Sequence, residues 1–328
     1  MIEIEEKSLR GCTFIDLFAG IGAFRLALES LGATCLYSSE WNKEAAKVYA
    51  ANFGEIPDGD ITRVDERSIP SHDILCAGFP CQAFSISGKR RGFEDARGTL
   101  FFDVARIVRE KRPKVVFMEN VKNFATHDGG RTLAVVDSIL EDLGYRLFHR
   151  VMNAADYGVP QNRERLFMVA LRKDLTLDFS FPEPVKPARH VEDFLMGDDE
   201  CGIEELYINR ADFKAKDVKD DKYSGRPVRL GIVNKGGQGE RIYSVKGSAI
   251  TFSAYGGGVF AKTGGYLING RLRKLHPIEC ARLMGFPDGF KLSQKRNQAY
   301  KQLGNSVVVN LLQLIGIEIA NSLKAEKD

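Results

Sequence analysis

Histidine and tryptophan are scarce in this chain, five and one in 328 residues, and no two cysteines form a CxxC pair. His72, His127, His149, His190 and His276 build no cluster or motif with the six cysteines Cys12, Cys35, Cys76, Cys81, Cys201 and Cys280. A zinc site is therefore not expected, and a Cys–His hydrolase lacks support. Strong charge is missing too: the formal net charge is +3, so any nucleic-acid surface must come from local clustering. The most apolar late stretch, SVVVNLLQLIGIEIA, is interrupted by Asn310, Gln313 and Glu318, which favours a buried or amphipathic helix over a membrane span. The opening MIEIEEKSLRGCTFIDLF is acidic, unlike a secretory signal or a transit peptide. A cytoplasmic protein with reduced thiols is expected.

What is present is an ordinary globular composition, 44% hydrophobic and 28% charged, with room for a large domain and a smaller one. Apolar runs at 12–17, 34–39, 73–78 and 114–119 alternate with helical spacing at 23–31, 43–53, 99–112 and 131–143. This order predicts an α/β fold with a doubly wound, mostly parallel sheet. Runs at 145–153 and 164–172 add two late strands, expected as an antiparallel hairpin at the sheet edge. After the proline-rich FPEPVKP (181–187) the alternation stops. Twelve of the 32 glycines then fall between 225 and 270, interleaved with Lys235, Arg241, Lys246, Lys262, Arg271, Tyr243, Tyr255 and Tyr266. Either a twisted sheet with tight turns or a phosphate-tracking, base-reading surface fits that pattern.

DLFAGIGAF (16–24) follows the first strand and opens the first helix, where such sheets bind ligands. Gly20 and Gly22 supply the turn, and Glu40, after the second strand, is placed to accept ribose hydroxyls. A dinucleotide fingerprint would continue with a third glycine, but Arg25 stands there. A nucleoside cofactor without a pyrophosphate, such as S-adenosylmethionine, is preferred. Trp41 could stack on adenine or anchor a core; Asp60, near the end of an expected third βα unit, could accept from the adenine amino group or cap a helix.

GFPCQAFS (78–85) sets Cys81 just beyond the expected fourth strand, and Glu119 in MENV (118–121) ends the expected fifth. Side chains at the ends of neighbouring strands, about 4.8 Å apart, can share a pocket. In QNRER (161–165), Arg163 and Arg165 are two apart in an extended segment, so both should project to one side. Plainer alternatives are a buried inert thiol for Cys81 and a surface ion pair with Glu164 for the arginines.

These motifs, with RKLHPIECARLMGFPDGF (273–290) and QLGNSVV (302–308), resemble in order and spacing the DNA (cytosine-5)-methyltransferases over nearly the whole chain. Within that family, RGFEDARGTLFFDVARIVREK, VRLGIVNKGGQGERIYS and SAYGGGVFAKTGGYL are similar to a GCGC-specific enzyme of bacterial restriction–modification systems. Ala23 departs from the family's usual DLFAGxGG, which would weaken cofactor affinity slightly. The resemblance implies S-adenosylmethionine as cofactor, S-adenosylhomocysteine as product, no metal, and a monomer acting on double-stranded DNA at the inner cytosine of GCGC. It implies Cys81 as nucleophile on C6, Glu119 at N3 in its neutral form, Arg165 at O2, and Arg163 favouring the thiolate. Around the cofactor it implies Phe18, Gly20, Ile21, Gly22, Glu40, Trp41, Asp60, Ile61, Gly78, Pro80, Leu100 and Asn305. On the DNA it implies Ser87 and Gln238 filling the space of the flipped base and Lys89 in a lid over 82–98. Arg241 would contact guanine, and Tyr255, Gly257 and Gly258 belong to the reader, whose glycines bring main chain to base edges.

The expected domains are a catalytic and cofactor-binding domain over 1–185, a glycine-rich, mainly β target-recognition domain over 186–275, and helices over 276–328, the last returning to the catalytic domain. A tRNA-methylating relative and a DNA-binding regulator without catalysis are the alternatives. The long glycine-rich segment disfavours the first, and the intact Cys81, Glu119 and Arg165 set disfavours the second.

Overall fold

The computed structural model describes residues 8–80, 99–175, 178–185, 189–200, 202–216 and 225–324. Cys81, Ser87 and Lys89 lie outside the described residues. The chain forms two compact units. One contains the residues up to Met152, Glu164–Glu183 and the chain from Leu312; the other contains Asn153–Arg163 and Pro184–Leu311. The division differs from a simple boundary near 185, since 153–163 and 276–311 fold with the glycine-rich part.

In the first unit, β1 (Thr13–Leu17), α1 (Ala23–Ser30), β2 (Thr34–Ser39), α2 (Lys43–Phe53), β3 (Ile74–Ala77), α3 (Leu100–Lys111), β4 (Val115–Val121), α4 (Arg131–Asp142), β5 (Tyr145–Asn153) and β6 (Glu164–Arg172) follow the expected alternation. The sheet order is β2-β1-β3-β4-β6-β5, with β2, β1, β3 and β4 parallel and β6 antiparallel to β4. The first four strands are apolar because both faces are covered: Leu75, Val116 and Met118 pack with Val104 and Ile107 of α3 and Ile139 of α4, and on the other face Phe117 meets Phe24 of α1. The strand order reverses between β1 and β3, opening a crevice at the carboxyl end of β1.

One expectation is corrected. Residues 54–69 form no strand: Asp58 makes only an isolated bridge with Ser39, and Asp60 caps a short 3-10 turn, Ile61–Arg63. Pro57 lacks an N–H for a ladder, and Gly54 has φ +75°, ending α2 in a left-handed turn. The strand before Cys81 is therefore the third and that of Glu119 the fourth. The two late strands pair side by side at the sheet edge beyond β4, as expected. The chain leaves β4 through α4, reaches the edge as β5, and returns as β6 into the space between them.

The start of α1 explains one glycine and one departure. Gly22 has φ +91°, and a Cβ there would lie 2.2 Å from Phe53 Cε2, so only glycine fits. Ala23 is the first helical residue and buries its methyl group in the core, where no left-handed backbone is required. From Leu312 onward, α7 (Val309–Lys324) packs on α1 and the turn after it, Gly316 allowing close approach to Leu28 and Leu31.

In the second unit β7 (Lys214–Ala215), β8 (Arg229–Ile232), β9 (Arg241–Tyr243), β10 (Gly265–Ile268) and β11 (Arg271–Arg273) form a sheet in the order β11-β10-β9-β8-β7. Its core is Val233, Ile242, Phe260 and Leu272. The motif after β11 opens α5 (Pro277–Leu283), and α6 (Arg296–Asn305) follows. Arg273 donates both guanidinium ends to Glu279 at 2.8 Å, with both side chains at 0% exposure. Glu279 also accepts from the backbone N–H groups of Met196 and His276, which satisfies the buried carboxylate. RKLHPIECAR is thus a structural staple.

Candidate functional site

A cleft opens at the crevice beside β1. Phe18, Glu40, Trp41, Asp60, Ile61 and Leu100 line it, so six of the expected cofactor residues are brought together. Phe18 sits in the left-handed region at φ +58°, a conformation costly for an aromatic residue, at the end of β1. Glu40 Oε2 accepts the Gly20 N–H at 2.8 Å and Oε1 accepts the Asn42 N–H at 2.7 Å. Each carboxylate oxygen has a further lone pair, so the glutamate is oriented yet can still accept from a ligand. Burial pushes its carboxyl above the usual range, opposed by those two N–H groups. Trp41 is 73% exposed, which favours a stacking platform over a core anchor. Asp60 caps the short turn that follows it, Oδ1 accepting from the Thr62 N–H and hydroxyl, and it also lines the cleft.

The remaining expected cofactor residues are not among those lining the cleft, although the Gly20 N–H donates to Glu40. Ile21 is buried in the core and Gly22 faces Phe53, so neither lines the cleft. Gly20 has open space where a Cβ would point. Pro80 is exposed, and Asn305 is the exposed last residue of α6 in the other unit. Arg25, in the place of a third fingerprint glycine, is held by Glu29, Glu55 and the Tyr49 hydroxyl and lies over the Phe53 ring. A bulky side chain anchored there fits a nucleoside ligand and not a pyrophosphate turn.

The carboxyl end of β4 carries the second cluster. Because β6 runs antiparallel beside β4, Val121 faces Arg165 in the register and Arg165 reaches back toward Glu119. Arg165 Nε lies 3.0 Å from Glu119 Oε1, the side chains being 15% and 11% exposed. Gly78 is adjacent, since a Cβ there would come within 3.8 Å of Glu119 Oε2. Asn120 had no role assigned from sequence, although it stands in MENV. Its Nδ2 donates to the Phe79 carbonyl at 2.9 Å while its Oδ1 accepts the Val121 N–H at 2.9 Å, at 2% exposure. Phe79 packs against Phe101 and Phe124. The main chain two residues before Cys81 is thereby tied to the strand that bears Glu119. The only signal in the sequence was an amide directly after an acid at a strand end.

The two arginines of QNRER have different partners, which corrects the expectation of a pair facing one substrate. Glu164, their suggested surface partner, pairs instead with Lys122 at 3.0 Å. Arg163, at 2% exposure, donates Nη1 to the Phe252 carbonyl at 3.1 Å, and Nη2 to those of Gly304 at 2.8 Å and Ser306 at 2.5 Å.

Among the expected DNA-reading residues, Gln238 and Gly257 line one small pocket. A Cβ on Gly239 would lie 2.2 Å from the Gly257 carbonyl, and one on Gly258, at φ +98°, 2.8 Å from the Gly239 carbonyl. These two glycines serve contact between the loops, whereas Gly257 has open space and exposed main chain. Tyr255 is 71% exposed, with Lys301 Nζ 5.3 Å from its ring centre. Arg241 is half-buried, its Nε donating to the Gly236 carbonyl at 3.3 Å.

Comparison with known proteins agrees with this geometry. The family model described as C-5 cytosine-specific DNA methylase matches residues 12–321. The chain is 62% identical to the Type II methyltransferase M.HhaI of Haemophilus parahaemolyticus, over 98% of both chains. It is 44% identical to the Type II methyltransferase M.HpaII of Haemophilus parainfluenzae, over 95% of this chain and 90% of that one. Among solved structures, the Dnmt2 methyltransferase of S. pombe shares the fold at a TM-score of 0.73 and 19% identity, covering 96% of this chain and 99% of its own.

Proposed function

The chain belongs to the C-5 cytosine-specific DNA methylase family, and from that membership we propose how its residues divide the reaction and which DNA it acts on. The activity is DNA cytosine C5 methylation of the type II restriction–modification kind, and S-adenosylmethionine is the donor that the family implies. The cleft beside β1 suits that donor: a carboxylate with free acceptor capacity for a ribose, an exposed indole for a base, and an anchored Arg25 in place of the third glycine of a pyrophosphate turn. When bound there, S-adenosylmethionine supplies an electrophilic methyl group on a sulfonium.

The Arg165–Glu119 pair beside the tethered loop before Cys81 is the observation that carries the proposal. Cytosine C5 is too weak a nucleophile to take a methyl group unaided. The Cys81 thiolate adds to C6, and the charge that builds on the ring is met at N3 by Glu119 and at O2 by Arg165. C5 would then take the methyl group as its bond to the sulfonium sulfur breaks, leaving S-adenosylhomocysteine; a base removes the C5 proton, and the returning electron pair expels Cys81. The target base must leave the stack, at a cost of a few kcal/mol, which Gln238 and Ser87 help to offset by filling the vacated space. Arg241 reads a guanine of the site. The enzyme works as a monomer in the bacterial cytoplasm, on the inner cytosine of GCGC.

Mapping 5-methylcytosine at base resolution on plasmid from cells expressing the protein tests this reading. Marks at GCGC are expected. Marks at another sequence would overturn the specificity alone. Loss of all transfer in Cys81→Ala, with DNA binding retained, is the expected signature of the covalent route, and substantial residual methylation would exclude it.

A further inference from the structure

We propose that Arg163 is a positioning residue of target recognition: from behind, its guanidinium holds the loop that presents Tyr255 and Gly257 to DNA. The proposal rests on the reading of that loop as part of the DNA-reading surface. Three main-chain carbonyls, those of Phe252, Gly304 and Ser306, converge on the one guanidinium at 3.1, 2.8 and 2.5 Å. Phe252 lies just before the exposed stretch Tyr255–Gly258, and Gly304 and Ser306 bracket Asn305 at the end of α6. The loop also rests flat on that helix end: a Cβ on Gly304 would come within 2.4 Å of Ala254 N and 2.5 Å of Ser253 C. On its other side the Ser253 N–H donates to the Lys262 carbonyl at 3.0 Å, and Lys262 itself is held at φ +79°.

A planar fork with five N–H donors holds carbonyls from two segments in a fixed geometry, whereas an ammonium with three donors sits on a flexible stem. At 2% exposure, removing the fork would leave buried carbonyls without their donors, and the segments they belong to would loosen. The loop's own ties, the Ser253 hydroxyl donating to the Tyr255 carbonyl at 2.6 Å and the packing of Gly258 on Gly239, leave Gly257 open and Tyr255 exposed. The aim of the loop depends on the arginine. This assigns Arg163 to recognition, whereas a role in favouring the Cys81 thiolate would assign it to chemistry.

The experiment uses the full-length wild type, Arg163→Lys, Arg163→Met and Tyr255→Ala on duplexes with the mapped site and with one base of it changed. Amide hydrogen exchange over 252–262 is measured on the same proteins. For Arg163→Met the preference for the mapped site should fall about tenfold or more, with KM for DNA raised, the pH profile of kcat unmoved, and exchange at the Ser253 amide faster. Arg163→Lys should recover part of both losses, and it carries the test if the methionine variant does not fold. Unchanged preference with a displaced pH profile would overturn the proposal in favour of a catalytic role, and unchanged exchange would overturn it outright. Unchanged preference in Tyr255→Ala, with exchange still faster in Arg163→Met, would instead fault the reading of the loop and leave the positioning intact.

Discussion

Arg165 Nε and Glu119 Oε1 are 3.0 Å apart on two strands that run in opposite directions, with both side chains almost wholly buried. The antiparallel return of β6 makes this contact possible, since a parallel neighbour would present its other end to β4. The pair is set at the carboxyl edge of the parallel strands, where Gly78 leaves room beside the carboxylate. Its geometry suits recognition of two adjacent polar atoms on one ring.

Glu119→Gln keeps a hydrogen-bond donor but cannot transfer a proton. Single-turnover methylation should slow by about 10²–10⁴, with KM for DNA little changed. An unchanged rate would remove Glu119 from the chemistry.

Asn120 links the Phe79 carbonyl to the Val121 N–H through one buried amide. Asn120→Leu preserves bulk while leaving both groups without their partner, at a cost of about 1–3 kcal/mol for each buried group left unsatisfied. Thermal unfolding should shift downward, and kcat should fall more than KM rises, because the loop before Cys81 loses its fixed distance from Glu119. A lowered unfolding temperature with unaltered kcat would make the amide purely structural.

Much of this arrangement was legible in the sequence, and the failures have a common cause. Buried parallel strands read as continuous apolar runs, so β1 to β4 stood out, and helical spacing marked α1 to α4. Phe18, Glu40, Trp41 and Asp60 were found because they follow strand ends in chain order. Asp60 was nevertheless hung on a strand that Pro57 does not support. The partners of Arg163 were invisible, being carbonyls 89 and 141 residues away at Phe252 and Gly304. Main-chain acceptors carry no residue identity, so no motif announces them. Gly258 was ambiguous for a similar reason, since close approach of loop to loop and of loop to ligand ask for the same residue.

Glu40 gives the donor site a pH dependence. Burial raises its carboxyl above the ordinary range of about 4.3. Only the ionised form offers both oxygens as acceptors, so affinity for S-adenosylmethionine should be full above the raised value and should weaken as pH falls through it. The weakening thus begins at higher pH than for an ordinary glutamate. Calorimetric titration across that range checks this. Glu40→Gln should bind more weakly and lose the dependence; an identical slope in the variant would place the titrating group elsewhere.

Asp16, on β1 immediately before the cofactor turn, is at 0% exposure. Burial pushes its carboxyl up to about 8, although the charge of Arg25 works in the other direction. In the unfolded chain the same group ionises near 3.9. Between these values the folded protein holds a proton that the unfolded chain has released. Linkage then requires stability to fall as pH rises through the window, and the contribution to level off above about 8. Asp16→Asn should remove this slope, because an amide has no proton to lose. Urea unfolding midpoints of both proteins from about pH 5 to about pH 9 make the comparison. The wild type should lose ground to the variant as pH rises, and parallel curves would mean that Asp16 is ionised in the fold and held by Arg25.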